Sequence, residues 1–128
     1  MKAERIEVIG LNVRNLDEAI DFFSDILGTT FIKPAPGRRT KKLTDHADPA
    51  FESAKLKIAI DRTGYLELIE STPPLEDEGI RSFHVTVPDI EEAKAELKKK
   101  GIRLMADVSS SGFKEAIFHP DDLNGIRL

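Results

Sequence analysis

The residues best suited to chemistry lie on predicted strands, on the faces that the predicted helices leave open. In RSFHVTV, the period of two residues in a strand puts Ser82, His84 and Thr86 on one face. The same rule puts Glu67 of GYLELIE opposite two leucines. Because a histidine titrates near neutral pH, His84 with Glu67 suits proton transfer or the ligation of a metal ion. The alternative is a structural histidine that binds a neighbouring carbonyl.

Three further polar side chains are predicted to face the same space. Asn12 lies on the open face of IEVIGLNV, and Tyr65 shares the face of Glu67. Arg127 alternates with two apolar residues, so it faces this space if they pack inward, where a carboxylate would suit its charge. Two sheets that curve toward each other would enclose a cleft with few but convergent polar groups, as in ligand sites. An antiparallel sheet with one solvated face is the alternative and requires no ligand.

A repeated sequence pattern supplies the helices that cover the opposite faces. VRNLDEA and VPDIEEA each follow a β-rich run, at a constant offset. Asn15 and Asp89 are placed to cap a helix, with a glutamate three residues later in both copies. Gly28 and Gly101 are placed to end the two helices. The repeat predicts two modules, each with a strand, a helix and then two or three strands.

Strands and loops complete each predicted module. KLKIAIDRTGYLELIE and KEAIFHPDDLNGIRL combine β-rich runs with tight turns. STPPLEDE is the linker, and its acidic LEDE segment is predicted to be solvated. Residues 33–53 are predicted to form an irregular loop, whose GRRTKK segment is either solvated or a contact for a phosphate or acyl-CoA. The 128 residues are predicted to form one α+β domain, with modules at about 4–70 and 79–128.

Composition argues against several classes of function. The net charge of −4 disfavours nucleic acid and anionic membranes as partners. No apolar run approaches the roughly 20 residues that span a bilayer, and MKAERIEVIG lacks a signal-peptide core. Because the chain has no cysteine, disulfides, thiol nucleophiles and cysteine-ligated metals are excluded, and the cytoplasm is the expected compartment.

The order of these motifs resembles the vicinal oxygen chelate superfamily, which includes glyoxalase I, bleomycin-resistance proteins, ring-cleaving dioxygenases and methylmalonyl-CoA epimerase. The resemblance rests on GLNVRNLDEAIDFFSDILG with LELIE, and on FHVTVPDIEEAKAELKKKGIRL with FHPDDLNGIRL. The closing segment is most similar to the epimerase and glyoxalase I branch. The resemblance implies two βαβββ modules that form a cupped, incomplete barrel around a divalent metal, which acts as a Lewis acid.

The resemblance also implies where the ligands of that metal would lie. The histidine of the first strand corresponds to Val8, that of the second module to Ser82, and the first glutamate to Glu67. The last ligand falls one residue past Leu128. Because valine cannot bind a metal and serine is a poor ligand, no metal cofactor is expected. If His84 and Glu67 build an altered site, its metal would be Zn, Ni, Co, Mn or Fe.

Three more residues complete the predicted assignment. Lys114 corresponds to a basic position of the family on the strand before the HP turn, and we expect it to face the cleft. His119 belongs to that turn and is expected to be structural, and His46 in the loop is expected to be solvated. The predicted ligand-binding residues are Asn12, Tyr65, Glu67, Ser82, His84, Thr86, Lys114 and Arg127.

These observations favour the binding of a small molecule without a metal, as in the antibiotic-sequestering members of the superfamily. The expected ligand is a small organic anion or an acyl conjugate. The alternative is an isomerase or lyase of the methylmalonyl-CoA epimerase or lactoylglutathione lyase type, with His84 and Glu67 as catalytic candidates. A regulatory domain with a vestigial cleft is a third interpretation. We expect a homodimer, because members of the superfamily often pair and edge strands such as KLKIAI favour a partner.

Overall fold

Helices and strands follow the order that the repeat predicts, with additional short elements. The structure, a computed structural model, describes residues 2–34, 40–110 and 112–128. Within these ranges, no helix is long and apolar enough to cross a membrane. The elements are β1 (Arg5–Asn12), α1 (Leu16–Leu27), β2 (Phe31–Ile32), β3 (Thr40–Leu43), α2 (Pro49–Ser53), β4 (Lys55–Asp61), β5 (Leu66–Thr72), β6 (Gly79–Thr86), α3 (Ile90–Lys99), β7 (Leu104–Ser110), β8 (Phe113–Phe118) and a single 3-10 turn (Pro120–Asp122).

The strands form two open sheets. β2, β4, β5, β1 and β6 lie side by side in that order in a five-stranded sheet, and β3, β7 and β8 form a three-stranded sheet. β1 runs parallel to β5 and antiparallel to β6, so it links the strands before the linker to the first strand after it. The predicted α+β class is confirmed, and the described strands do not close into a barrel.

The end of the chain connects the two sheets. Arg127 N donates a hydrogen bond to Arg81 O (3.0 Å), and Phe83 N donates to Arg127 O (3.0 Å). On the other side, Phe118 N donates to Leu128 O (3.0 Å). The last residues therefore lie between β6 and β8, which holds the backbone of Arg127 between the sheets.

Local capping determines the ends of α1 and the start of α3, as the sequence predicts. The Asn15 side chain accepts a hydrogen bond from Glu18 N (3.0 Å), and Gly28 follows α1 with a φ of 63°. This left-handed conformation is one that glycine adopts without steric cost. Asp89 caps α3 by accepting from two amides of its first turn. Both helices therefore begin where the capping residues predict.

Each long helix packs on a sheet. α1 lies on β4 and β5, where Leu16, Ala59 and Leu68 form a buried cluster, and α3 lies on β8. A second cluster forms around Phe51 of α2 and Met105 of β7. The apolar side of the five-stranded sheet is therefore covered by α1, and its other side is left for the site.

The prediction of an irregular loop over residues 33–53 is wrong for residues 40–43 and 49–53. This segment contains β3, which pairs antiparallel with β7, and α2, which buries Phe51. β3 is too short to show a clear alternation, and the only helix signal of α2 is Pro49 in its first turn. Residues 37–39 of GRRTKK lie outside the described residues, so the ligand contact predicted there stays a prediction.

Candidate ligand-binding site

β1 carries the centre of the site because it lies between β5 and β6. Leu11 and Leu68 pack against the cluster under α1, so alternation places Gly10 and Glu67 on the opposite face. In the strand register Gly10 lies beside Glu67 on one side and beside Ser82 on the other. A methyl group at Gly10 would overlap Ser82 Oγ. Glycine therefore keeps this face concave where β1 and β6 meet.

A chain of polar contacts crosses this face. Arg81 Nη1 donates hydrogen bonds to Asn12 Oδ1 (3.1 Å) and to Ser71 Oγ (3.3 Å). Asn12 Nδ2 in turn donates to Glu76 Oε2 (3.2 Å). The other carboxylate oxygen of Glu76 contacts Arg127 Nη1 as an ion pair. Asn12 and Glu76 thus connect the guanidinium group of Arg81 to that of Arg127.

A register shift brings Arg81 into this network. Gly10 pairs with Ser82, but the next residue, Leu11, pairs with Ile80, so Arg81 is left without a partner in β1. Such a bulge re-aims the side chain of the extra residue. Regular alternation would have placed Arg81 on the face opposite Ser82. The shift instead lets it reach Asn12, and it is 4% exposed there.

Arg127 is also buried, and its guanidinium is only partly satisfied. Nη1 contacts Glu76 without the geometry of a hydrogen bond, and among the described residues neither Nη1 nor Nε has a hydrogen-bond partner. The guanidinium carbon lies 5.5 Å from the centre of the Phe51 ring. A buried donor without an acceptor costs about 1–3 kcal/mol. The site therefore has unused capacity to bind an anion.

Lys41 adds a third cation to this region, with its Nζ 4.0 Å from the centre of the Phe51 ring. Although Lys41 as a residue is exposed, burial of its ammonium group lowers its pKa, and the charges of Arg81 and Arg127 lower it further. Burial also lowers the pKa of Arg81 to about 10, with the charge of Arg127 as the next cause. Three cations therefore lie near one another at this face, and the carboxylates of Glu76 and Glu67 offset part of their charge.

The structure brings several predicted residues to this face. The buried or half-buried ones are Asn12, Glu67, Ser82 and Arg127. His84 is half-buried further along β6, opposite Val8 of β1. In the part of the chain that the structure describes, the His84 side chain has no hydrogen-bond partner. Its imidazole is therefore available to a ligand.

Three other predicted residues lie outside this group. Tyr65 is 66% exposed. Thr86 is exposed, and its hydroxyl donates a hydrogen bond to Glu7 Oε2 (2.8 Å). Lys114 lies on the α3 side of the small sheet, where it lines a cavity of ≈ 220 Å³ with residues of that helix. Alternation predicts the face of a strand, but it does not tell how far along the strand a cleft extends.

The other two histidines do not reach this group. His119 is buried, its Nδ1 accepts a hydrogen bond from Asp121 N (3.1 Å), and its Nε2 lies 3.5 Å from Asp48 Oδ1. Asp48 precedes α2, so His119 ties the turn after β8 to that helix. His46 is exposed. Both placements agree with the roles that the sequence predicts.

Sequence reasoning missed Arg81 and the contact made by Glu76, whereas Lys41 belongs to the GRRTKK segment for which a ligand contact is predicted. The acidic residues of LEDE are exposed, as predicted, but the side chain of Glu76 also contacts Arg127. Leu75 precedes it and packs against the cluster around Phe51, which holds the linker against the sheets. An apolar residue within an acidic linker was the signal that could have indicated this contact.

The residues present do not fit the divalent metal that the resemblance implies. Val8 offers no donor atom, and Ser82 lies beside Arg127 in a parallel bridge. Among the described residues, no group of three or more His, Cys, Asp or Glu side chains could hold a metal ion. The neighbouring guanidinium groups would also repel a divalent cation.

Comparison with known families identifies the class of this protein. The model of the Glyoxalase/Bleomycin resistance protein/Dioxygenase superfamily matches residues 5–128. The chain belongs to this superfamily. None of the curated proteins matches it.

Solved structures with a similar fold include methylmalonyl-CoA epimerases. A variant of the Streptomyces coelicolor enzyme in complex with 2-nitronate-propionyl-CoA has a TM-score of 0.66 and 19% identity, over 98% of this chain and 94% of that chain. An epimerase in complex with methylmalonyl-CoA and NH4+ has a TM-score of 0.67 and 19% identity, over 98% and 92%. The Mycobacterium tuberculosis enzyme has a TM-score of 0.61 and 16% identity, over 98% and 85%. The predicted glyoxalase-like fold is confirmed.

Elemental analysis tests the metal content. We expect untagged protein to contain well under one equivalent of Zn, Ni, Co, Mn or Fe, because the donor set lacks ligands and is flanked by cations. The variant Val8→His/Ser82→His should bind more metal once Arg127→Ala is added, because that change removes the adjacent charge. Stoichiometric metal in the unmodified protein would contradict this expectation and would direct attention to His84 and Glu67.

Proposed function

We propose that this protein binds a small organic anion or an acyl conjugate, without a metal, in the concave face formed by β1, β5 and β6. The observation that carries the proposal is the buried guanidinium of Arg127, whose Nε and Nη1 have no hydrogen-bond partner among the described residues. An anion at this place would supply the missing acceptors. The ligand would then gain charge-assisted hydrogen bonds in a poorly solvated site.

The charge of the site supports an anionic ligand. After the larger effect of burial, the charges of Arg81 and Arg127 lower the pKa of Lys41, and the charge of Arg127 lowers the pKa of Arg81, whereas Glu76 and Glu67 act on Arg81 in the opposite direction. A carboxylate would relieve this repulsion, whereas a cation would increase it. The planar fork of arginine also matches the two oxygens of a carboxylate.

The size of the adjoining cavity supports a small organic ligand. A cavity of ≈ 340 Å³ lies beside Asn12 and is lined by Ile69, Ser71 and Leu75, and also by Arg14 and the acidic residues Glu76, Asp77 and Glu78. Ligand pockets of this size combine apolar walls with a few polar groups that orient the ligand. The similar epimerase structures hold acyl-CoA compounds, which supports an acyl conjugate as one class of candidate.

A second candidate function is an isomerase or lyase of the epimerase or glyoxalase type. His84 and Glu67 lie on opposite sides of β1 and on the same face, and among the described residues His84 has no side-chain partner. Such a pair could move a proton on and off a carbon next to a carbonyl. A metal such as Zn, Ni, Co, Mn or Fe would enter only through an altered site at these two residues.

The organisation of the chain is part of the same proposal. We place two modules at about 4–70 and 79–128 within one domain, supported by α1 and α3 packing on separate strands. The cytoplasm is the proposed compartment, and neither nucleic acid nor a membrane is a proposed partner, because the net charge is −4.

Substitution of Arg127 tests the binding site. A panel of small carboxylates and acyl conjugates is screened by thermal shift, and the binders are measured by calorimetry. We expect Arg127→Gln to weaken binding by about 1–3 kcal/mol, because it removes the charged donors to the ligand. Arg5→Gln is the control, because Arg5 also pairs with a carboxylate but its side chain is 72% exposed. Equal affinity of both variants for every binder would refute the proposed site.

Proton exchange separates binding from catalysis. Methylmalonyl-CoA is incubated with the protein in D2O, and NMR follows the signal of its α-proton. We expect no loss of this signal beyond the rate without protein. Exchange that is reduced in His84→Gln and retained in His46→Gln would show that the second candidate function is the correct one.

Assembly is tested by light scattering. Phe22, Ile26 and Leu27 of α1 are each more than half exposed, which supports association through an apolar surface. We expect a homodimer at micromolar concentration. A monomer at high protein concentration would contradict this expectation.

A further inference from the structure

The linker between β5 and β6 places a carboxylate in the proposed anion site. Glu76 uses both of its oxygens: one contacts Arg127 Nη1, and the other accepts a hydrogen bond from Asn12 Nδ2 (3.2 Å). The Arg127 side chain is 7% exposed and that of Glu76 is 30% exposed. The arginine therefore approaches from the interior, and the carboxylate approaches from the solvent side.

We infer that Glu76 occupies the subsite that binds the carboxylate of the ligand. This inference rests on the proposed function and makes it more specific. The ligand carboxylate would contact Arg127 and Asn12 in place of Glu76, whose side chain would turn toward solvent. The organic part of the ligand would lie in the adjoining cavity of ≈ 340 Å³, against Ile69 and Leu75.

The geometry of the contacts indicates the class of ligand. Asn12 and Arg127 each contact a different oxygen of the planar Glu76 carboxylate. A carboxylate fits this arrangement because its two oxygens lie in one plane, as the Glu76 group already shows. The ligand class is therefore a small carboxylic acid, or an acyl conjugate that carries a free carboxylate.

Glu76 and the ligand carboxylate would compete for the same subsite. A tethered group has a local concentration of the order of millimolar or above, so Glu76 holds the site when no ligand is present. A ligand must displace it, so the apparent dissociation constant of the ligand is the intrinsic one divided by the fraction of molecules in which the subsite is open. In the free protein, the contact with Glu76 meanwhile offsets part of the cost of burying Arg127.

Removal of the Glu76 charge tests the inference. Glu76→Gln keeps the shape of the side chain and weakens its ion pair with Arg127. We expect sodium propionate, followed by NMR titration, to bind Glu76→Gln at least tenfold more tightly than the parent protein. Asp17→Asn is the matched control, because it removes an ion pair with Lys33 (2.6 Å) at an exposed place and should leave the affinity unchanged. The gain should disappear in Glu76→Gln/Arg127→Gln.

The outcomes separate this inference from the proposed function. If propionate binds the parent and Glu76→Gln equally, and Arg127→Gln abolishes that binding, the inference is wrong and the proposed function stands. If propionate binds neither protein at tens of millimolar, the inference and the carboxylate specificity both fail. If Glu76→Gln is too unstable to purify, refolding in sodium propionate is compared with sodium chloride at equal ionic strength. A higher folded yield in propionate supports the inference, and equal yields overturn it.

Discussion

The burial of the Arg127 charge is the constraint on which the rest of the site depends. Moving a cation out of water costs several kcal/mol even after relaxation, so the guanidinium needs partners. Its backbone is held by hydrogen bonds with Arg81 O and Phe83 N, so it cannot withdraw without separating the end of the chain from β6. The residues that compensate the Arg127 charge must therefore lie next to its buried guanidinium. Glu76 of the linker contacts Arg127, and Asn12 connects Glu76 to a second guanidinium group, that of Arg81.

The same scaffold can serve different chemistry when its inward positions change. The superfamily resemblance implies metal ligands at the positions of Val8 and Ser82, but here the neighbourhood of Ser82 is dominated by Arg127 and Arg81. A cluster of cations disfavours a metal and favours an anion by the same Coulomb law. Membership in the superfamily and similarity to epimerases establish the fold, whereas the proposal of an anionic ligand rests on the charges of this face.

Local rules predicted the helices and the faces of the strands, and they failed where pairing between distant strands is irregular. Asn15 and Asp89 could be recognised as caps because capping involves only the next few residues. Asn12 and Ser82 were placed on the correct face by alternation. Arg81 was missed because a bulge in the β1–β6 pair re-aims it, and no local pattern marks the register between strands that are distant in the chain.

The sequence by itself determined the α+β class, the two capped helices and a set of polar residues on one side of the sheet, since these follow from periodicity and from contacts within a few residues. Only the tertiary structure decided that Glu76 of the linker contacts Arg127. The same holds for the positions of Lys41 and Arg127, which both lie over the ring of Phe51. These contacts join segments far apart in the chain. Their energies depend on burial and on the distance between charges, which exist only when both sheets are assembled.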